Sequence, residues 1–402
     1  MTKEKFEAFW KKALEVIKMR VFLIAFGSSL GVVLIVFLIF AITSSGGGEE
    51  RLPAKVFEEL PAFTPPEDLG HFDEGYEDEE ENEEDEIPPY HTFSLLTGLL
   101  IHEDYAARRP LAVVVNNIRS SHPQSGIASA DIVYEVLSEG DVTRLIAIFQ
   151  SYFPEKIGSI RSARDYFIDF AFNHDAVFVF HGASPSGHGR IRSTGVTNLD
   201  GGQLEGSVFW RDRSFPAWTG NKGQRSREHS SFTGREQIEA HMDAREMRTT
   251  IGENPAYGFY FGELAEEMES LGEAKRVVVP FSRNYTRTFI FCEEYGHYLV
   301  ENNAGAHRDA ETEEQVAVKN ILIRHTRMNV IAGDVEGRRN VNTVGTGTGY
   351  LITGGEHYAV LWEKASHTAP TIWTFEDGTP LTLTPGRTWV CVFQHTGTVQ
   401  FE

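Results

Sequence analysis

The residue pattern predicts a mixed α/β fold preceded by one membrane-crossing helix, and three observations predict it. From Arg109 onward, short β-branched runs bounded by Gly, Asn, Asp and Pro alternate with a few stretches of helical periodicity. Val21–Ile42 is a stretch of 22 residues without a charge. Between the two, Thr43–Tyr90 joins a Gly-Gly-Gly run, several prolines and an acidic block, a composition that buries too little apolar surface to offset chain entropy.

A helix over Val21–Ile42, rising about 1.5 Å per residue, crosses a hydrocarbon core of roughly 30 Å once. Lys3, Lys5, Lys11, Lys12, Lys18 and Arg20 precede it and keep residues 1–20 in the cytoplasm, so the chain from Thr43 lies outside. The stretch exceeds the roughly 7–15 apolar residues of a signal peptide, which favours a retained anchor over cleavage near Thr43-Ser44-Ser45. With no cysteine nearby, a lipid-anchored form is excluded. Gly27 and Gly31 form a small-xxx-small pair through which two such helices would make a homodimer.

Residues 43–93 read as a disordered, self-repelling stalk. Of the formal net charge of −21, thirteen acidic residues fall in Glu67–Glu86, leaving only −8 for everything else. No basic stripe remains to neutralise phosphates, so nucleic acid is excluded as a partner.

Two domains follow, a layered one over 94–272 and a smaller β-rich one over 273–402. Leu111–Val115 reads as a buried strand, and Asp131–Leu137 with Val142–Phe149 as a hairpin across Ser138-Glu139-Gly140-Asp141. Ser162 is placed to cap a helix over Ala163–His174, Ala176–Phe180 returns as a strand, and Gly182–Gly189 follows as a loop. Arg235–Met247 and Tyr260–Leu271 have helical spacing. After Arg276 strands dominate, clearest at Asn320–His325, Gly349–Thr353, Tyr358–Trp362 and Thr388–Phe393.

A four-residue turn sets Leu137 opposite Val142 and Glu135 opposite Arg144, which predicts a cross-strand charge pair among apolar neighbours. Arg161 and Arg164 flank the expected helix start, where the helix end already carries partial positive charge. Either internal carboxylates (Glu135, Glu139, Asp141) or a bound anion must balance them. The His181–Gly189 segment follows a buried strand, where α/β folds place ligands, and Ser184 narrowly misses a nucleophile-elbow pattern. His181, His188 and Asp175 lack a diagnostic metal spacing, so neither metal nor cofactor is expected. His307 and Asp309 have the reach for acid–base work but fit equally a turn closed by the Asp side chain. Gly345, Gly347 and Gly349 suggest a bulge or bend. Pairing of Cys292 with Cys391 is left open, since spacing alone does not report Cα separation.

Several blocks together resemble the N-terminal domain of the YerB-like family, a bacterial group carrying domains of unknown function. They are Arg109–Val115, Pro123-Gln124-Ser125-Gly126, Ala130–Glu135, Thr143-Arg144 and Ile157–Arg164. Asn320–Ile323, Val344–Tyr350 and Leu383–Trp389 resemble its C-terminal domain. The resemblance implies an envelope-facing protein, often a lipoprotein, with a layered β/β/α fold and no established activity. The chain departs from that pattern in its helical anchor, in Asn116-Asn117 and in Glu228-His229-Ser230-Ser231.

The leading functional expectation is a module that binds a polar or anionic cell-envelope ligand through Glu135, Arg144, Arg161, Arg164, His181 and Ser184. Two alternatives are a hydrolase of an envelope polymer, using Glu135 or Glu139 with a histidine, and a structural scaffold of envelope assembly.

Overall fold

In the computed structural model, residues 87–252, 257–264 and 268–402 are described. The expected anchor Val21–Ile42, its Gly27/Gly31 contact and the acidic tract to Glu86 lie outside them. Among the described residues no helix is long and apolar enough to cross a membrane. Tyr90–Glu402 is one unit, in which His91–Phe93 already pairs with Leu100–His102, so the last residues assigned to the stalk are structured.

The apolar runs named above become the strands of one large sheet. In chain order they are β1 (Leu111–Asn116), β2 (Ile132–Leu137), β3 (Thr143–Phe149), β4 (Val177–Phe180) and β5 (Asn198–Asp200). A separate six-stranded antiparallel sheet, whose longest strands are β6 (Arg276–Ser282), β7 (Tyr285–Cys292) and β8 (His297–Asn302), intervenes. The large sheet then resumes with β9 (Asn320–Thr326), β10 (Gly345–Thr353), β11 (Glu356–Lys364), β12 (Thr371–Phe375) and β13 (Thr388–Gln394).

Across the large sheet the order runs β11-β10-β9-β13-β2-β3-β1-β4-β5, with β12 on the outer edge of β11. Strands from both halves of the chain therefore share one sheet, joined where β13 runs parallel to β2. Every residue of β1, β2 and β3 is buried, as expected of strands covered on both faces.

The second sheet covers one face, with Phe289 against Trp389 and Phe281 against Phe393 at ring separations of 6.1 and 5.8 Å. Helix α1 (Asp165–Phe172) covers the other, Phe170 stacking on Tyr134 at 4.7 Å. The layers are thus sheet, sheet and helix.

Three local expectations are corrected. The segment read as a glycine-rich loop is helix α2 (Pro185–Thr194), because Ser184 accepts from the Gly187 amide at 3.1 Å, Pro185 opens the first turn, and Gly195 closes the helix in the left-handed region. Gly187 tolerates the helix interior because it packs against the Ala163 carbonyl. Tyr260–Phe261 is not helical but pairs in parallel with Thr382–Leu383. Gly345, Gly347 and Gly349 make neither bulge nor bend: β10 pairs in unbroken register with β11, and a Cβ on Gly347 would lie 2.6 Å from the Trp362 ring. Close packing is the reason for that glycine. A third expected helix, starting at Arg235, ends at Ala244.

The hairpin slips by one residue. Five loop residues, 138–142, replace the expected four, closed by Ser138 N–H to the Val142 carbonyl at 2.8 Å, so Leu137 faces Thr143 and Glu135 faces Leu145. A shift of one turns each side chain to the other face. Glu135 consequently points to the second sheet while Arg144, opposite Val136, points to the helix layer. The predicted Glu135–Arg144 pair does not form.

Candidate ligand-binding site

The polar groups that the sequence singles out fall into separate constellations. Between the two sheets, Glu135 and Arg287 are both fully buried, with Nε donating to Oε2 at 2.8 Å and Nη2 to Oε1 at 3.2 Å. Glu135 also accepts from Asn117 Nδ2 at 3.0 Å, Thr143 Oγ1 at 2.8 Å and Trp389 Nε1 at 3.1 Å. Arg287 Nη1 donates to His307 Nδ1 at 2.9 Å, which leaves the other ring nitrogen to donate to Gln124 Oε1 at 2.8 Å. Burial, with Arg287 adding to it, pushes His307 well below the ordinary imidazole range, so it stays neutral. Asp309 closes the expected turn by accepting from the Glu311 amide at 2.8 Å, and also holds the Ala128 amide at 3.0 Å.

Across the sheet, Glu139 bridges Arg144 and Arg164, the latter at 2.6 Å, while Arg144 Nη1 donates to the Ser162 carbonyl at 2.5 Å. Although burial opposes it, the two guanidinium groups hold the Glu139 carboxyl below its usual range. Helix α1 starts only at Asp165, with Arg164 at its cap, so the internal carboxylate is what balances the cations there. Both carboxylates proposed for acid–base hydrolysis, Glu135 and Glu139, are thereby held in closed ion pairs, and that version of a hydrolase does not fit.

Arg161 goes elsewhere. Four residues before the helix, it donates to the Glu228 carbonyl at 2.9 Å and lines a depression of about 480 Å³ with Ile160, His181, Gly202, Glu205, Arg211, Arg227 and Glu228. The depression lies where β1, β4 and β5, mutually parallel, end: His181 follows β4, and Gly201 and Gly202 follow β5. Asp200 fixes these two exits together, accepting from the Gly182 and Gly202 amides at 2.8 Å each. Gly201 packs so closely on the His181 ring that no side chain fits at this position.

Three arginines meet two carboxylates here. Glu205 Oε2 accepts from Arg211 Nε at 3.0 Å and Nη2 at 2.5 Å, and Oε1 from Arg227 Nη2 at 2.8 Å. Hydrogen bonds from Arg211 and then Arg227 hold the Glu205 carboxyl down at about 2. Arg211 Nη2 also donates to His181 Nε2 at 2.9 Å, so Nδ1–H donates to Ser231 Oγ at 2.9 Å; burial and then Arg211 push His181 below its ordinary value. Ser231 is buried beneath the ring, out of reach of a ligand.

Of the expected site residues, the structure brings Arg161 and His181 together in this depression and Arg144 and Arg164 together on Glu139. Glu135 stands apart between the sheets, and Ser184 caps α2. Glu205, Arg211, Arg227 and Glu228 were not legible as lining of this depression because they lie at the end of a four-residue helix, on a two-residue strand and in a single helical turn, all too short to show periodicity. Arg287 had a legible signal: it shares an alternating face with Tyr285 and Phe289, a position that demands a buried partner. Cys292 and Cys391 are free. Among the described residues no group of three His, Cys, Asp or Glu is placed to hold a metal ion.

The two halves of this arrangement match the two domains described as Protein of unknown function (DUF3048), the N-terminal domain over residues 96–248 and the C-terminal domain over 277–390. The chain belongs to this YerB-like family. It is 32% identical over 302 residues to "Putative lipoprotein YerB" of Bacillus subtilis (strain 168), covering 73% of this chain and 84% of that one. The crystal structure of the YerB protein from Bacillus subtilis superposes with a TM-score of 0.65 at 30% identity, over 77% of this chain and 99% of that one.

Proposed function

We propose that the protein is a membrane-anchored, extracytoplasmic binding protein whose depression at the ends of β1, β4 and β5 takes a polar, anionic component of the cell envelope. The carrying observation is the convergence of Arg161, Arg211 and Arg227 on one open surface at the carboxyl ends of parallel strands. Guanidinium groups bind planar anions in two-point fashion, and here Arg227 is largely exposed while Arg161 and Arg211 are partly so. The lipoprotein description of the Bacillus relative supports an envelope address. In this chain the anchor is Val21–Ile42, crossing once with its amino-terminal side in the cytoplasm, and Gly27 and Gly31 are its candidate homodimer contact. Of the residues first expected at the site, this reading keeps Arg161 and His181 and adds Arg211 and Arg227.

Thermal unfolding of the protein with soluble, acidic cell-wall fragments tests the binding. Saturating fragments raise Tm by several degrees, and R211Q/R227Q abolishes that rise. An unmoved Tm at saturation counts against the reading. The address is checked by adding protease to intact cells: a tag after Glu402 that resists digestion until lysis would refute it.

A further inference from the structure

Glu205 is held by two arginines with a third of its side chain open to solvent, and it lies within the cationic surface. Among the described residues its carboxylate makes hydrogen bonds only to Arg211 and Arg227. Arg211 does not depend on it for its position. Arg211 Nη1 donates to the Arg227 carbonyl at 2.8 Å, its Nη2 reaches His181, and its backbone pairs with Ser231. The Arg211 side of the seat therefore persists when the carboxylate leaves, whereas the Arg227 side chain, three quarters exposed and hydrogen-bonded among the described residues only to Glu205, follows whichever carboxylate occupies the seat.

We propose that Glu205 is an internal occupant of the ligand's seat, and that a ligand carrying a carboxylate binds by displacing it from Arg211 and Arg227. The inference rests on the binding reading above and names the chemical class. A planar two-oxygen group already bridges the two guanidinium groups, one oxygen on each, and a ligand carboxylate reproduces those bonds without rearranging the arginines. Displacement needs only rotation of the Glu205 side chain, and exposed ion pairs contribute little to be given up. With Glu205 withdrawn, Arg161, Arg211 and Arg227 face Glu228 alone, so the seat carries two uncompensated positive charges. Arg161 adds a buried Nε that has no hydrogen-bond partner among the described residues. Because the Glu205 carboxyl is held at about 2, it stays anionic at any physiological pH, and exchange proceeds by competition between carboxylates and not by protonation.

Calorimetric titration of the full-length protein with sodium D-glucuronate, and separately with inorganic phosphate, tests this. E205Q and E205A both bind glucuronate at least tenfold more tightly than the unaltered chain, and E205Q/R211Q loses the gain. Phosphate gains less than glucuronate. If both folded Glu205 variants bind glucuronate no better than the unaltered chain, the displacement is wrong; if phosphate gains as much, the carboxylate assignment is wrong. Failure of the two ideas is distinguishable. Wall fragments that raise Tm through Arg211 while E205Q gains nothing would leave the binding reading standing without the internal occupant. Tight glucuronate binding by E205Q with no response to wall fragments would do the reverse.

Discussion

Glu135 and Glu205 are each gripped by arginine, yet one is sealed between two sheets with five donors from four segments and the other lies open with two guanidinium partners. Residue type does not separate a structural charge from one proposed to occupy a ligand's seat. What separates them is how completely the surroundings satisfy the carboxylate, and whether it can leave without stranding a buried cation.

The largest effect that would break this contrast concerns the core pair. E135Q strands Arg287 away from water and should destabilise the protein by about 3–5 kcal/mol in urea unfolding, whereas E135M/R287M recovers much of that loss. A loss under about 1 kcal/mol in E135Q would remove the distinction between the two regions.

Lys364 sharpens the contrast from the helix face. It is buried, and its ammonium donates to the Asn173 side chain at 2.7 Å, to the Asp169 carbonyl at 3.2 Å and to the Ala369 carbonyl, with no carboxylate hydrogen bond among the described residues. Burial lowers its pKa from 10.5 to about 8. Between those values the unfolded chain holds the proton that the folded one releases, so stability rises with pH across the window, by on the order of 3 kcal/mol when complete. Below the window both states are protonated and the slope vanishes. K364M should be flat where the unaltered protein climbs, measured by unfolding at a series of alkaline pH values. A parallel climb in both would assign the slope to other groups.

At the open site the expected change is smallest. R211Q removes an arginine that is 22% exposed and whose partner Glu205 is 33% exposed, and should cost on the order of 1 kcal/mol while abolishing the response to ligand. A loss comparable to E135Q would make the depression another piece of framework.

Much of the sheet was legible because its strands are short apolar runs, and β1, β9 and β13 fall within a residue or two of where periodicity puts them. The constellations were less so. One extra loop residue after Leu137 sends Glu135 and Arg144 to opposite faces, and no propensity counts loop residues that finely. The partner of Glu135 lies 152 positions away, beyond any local pattern. Helix α2 was hidden because glycines at 187 and 189 lower helical propensity, while the cap at Ser184 and packing against Ala163 outweigh it. Glu205, Arg211 and Arg227 are collected from the end of a four-residue helix, a two-residue strand and a single helical turn, each too short to show a period.

The seam between β2 and β13 bears on biogenesis. Ribosomes release β2 more than 250 residues before its neighbour, so a long nascent chain emerges with a mostly apolar strand margin, its one charge Glu135, still unpaired in the middle of its future core. Export would have to keep that margin from meeting its counterpart in another molecule, and stop codons placed before Thr388 should yield insoluble rather than half-folded product.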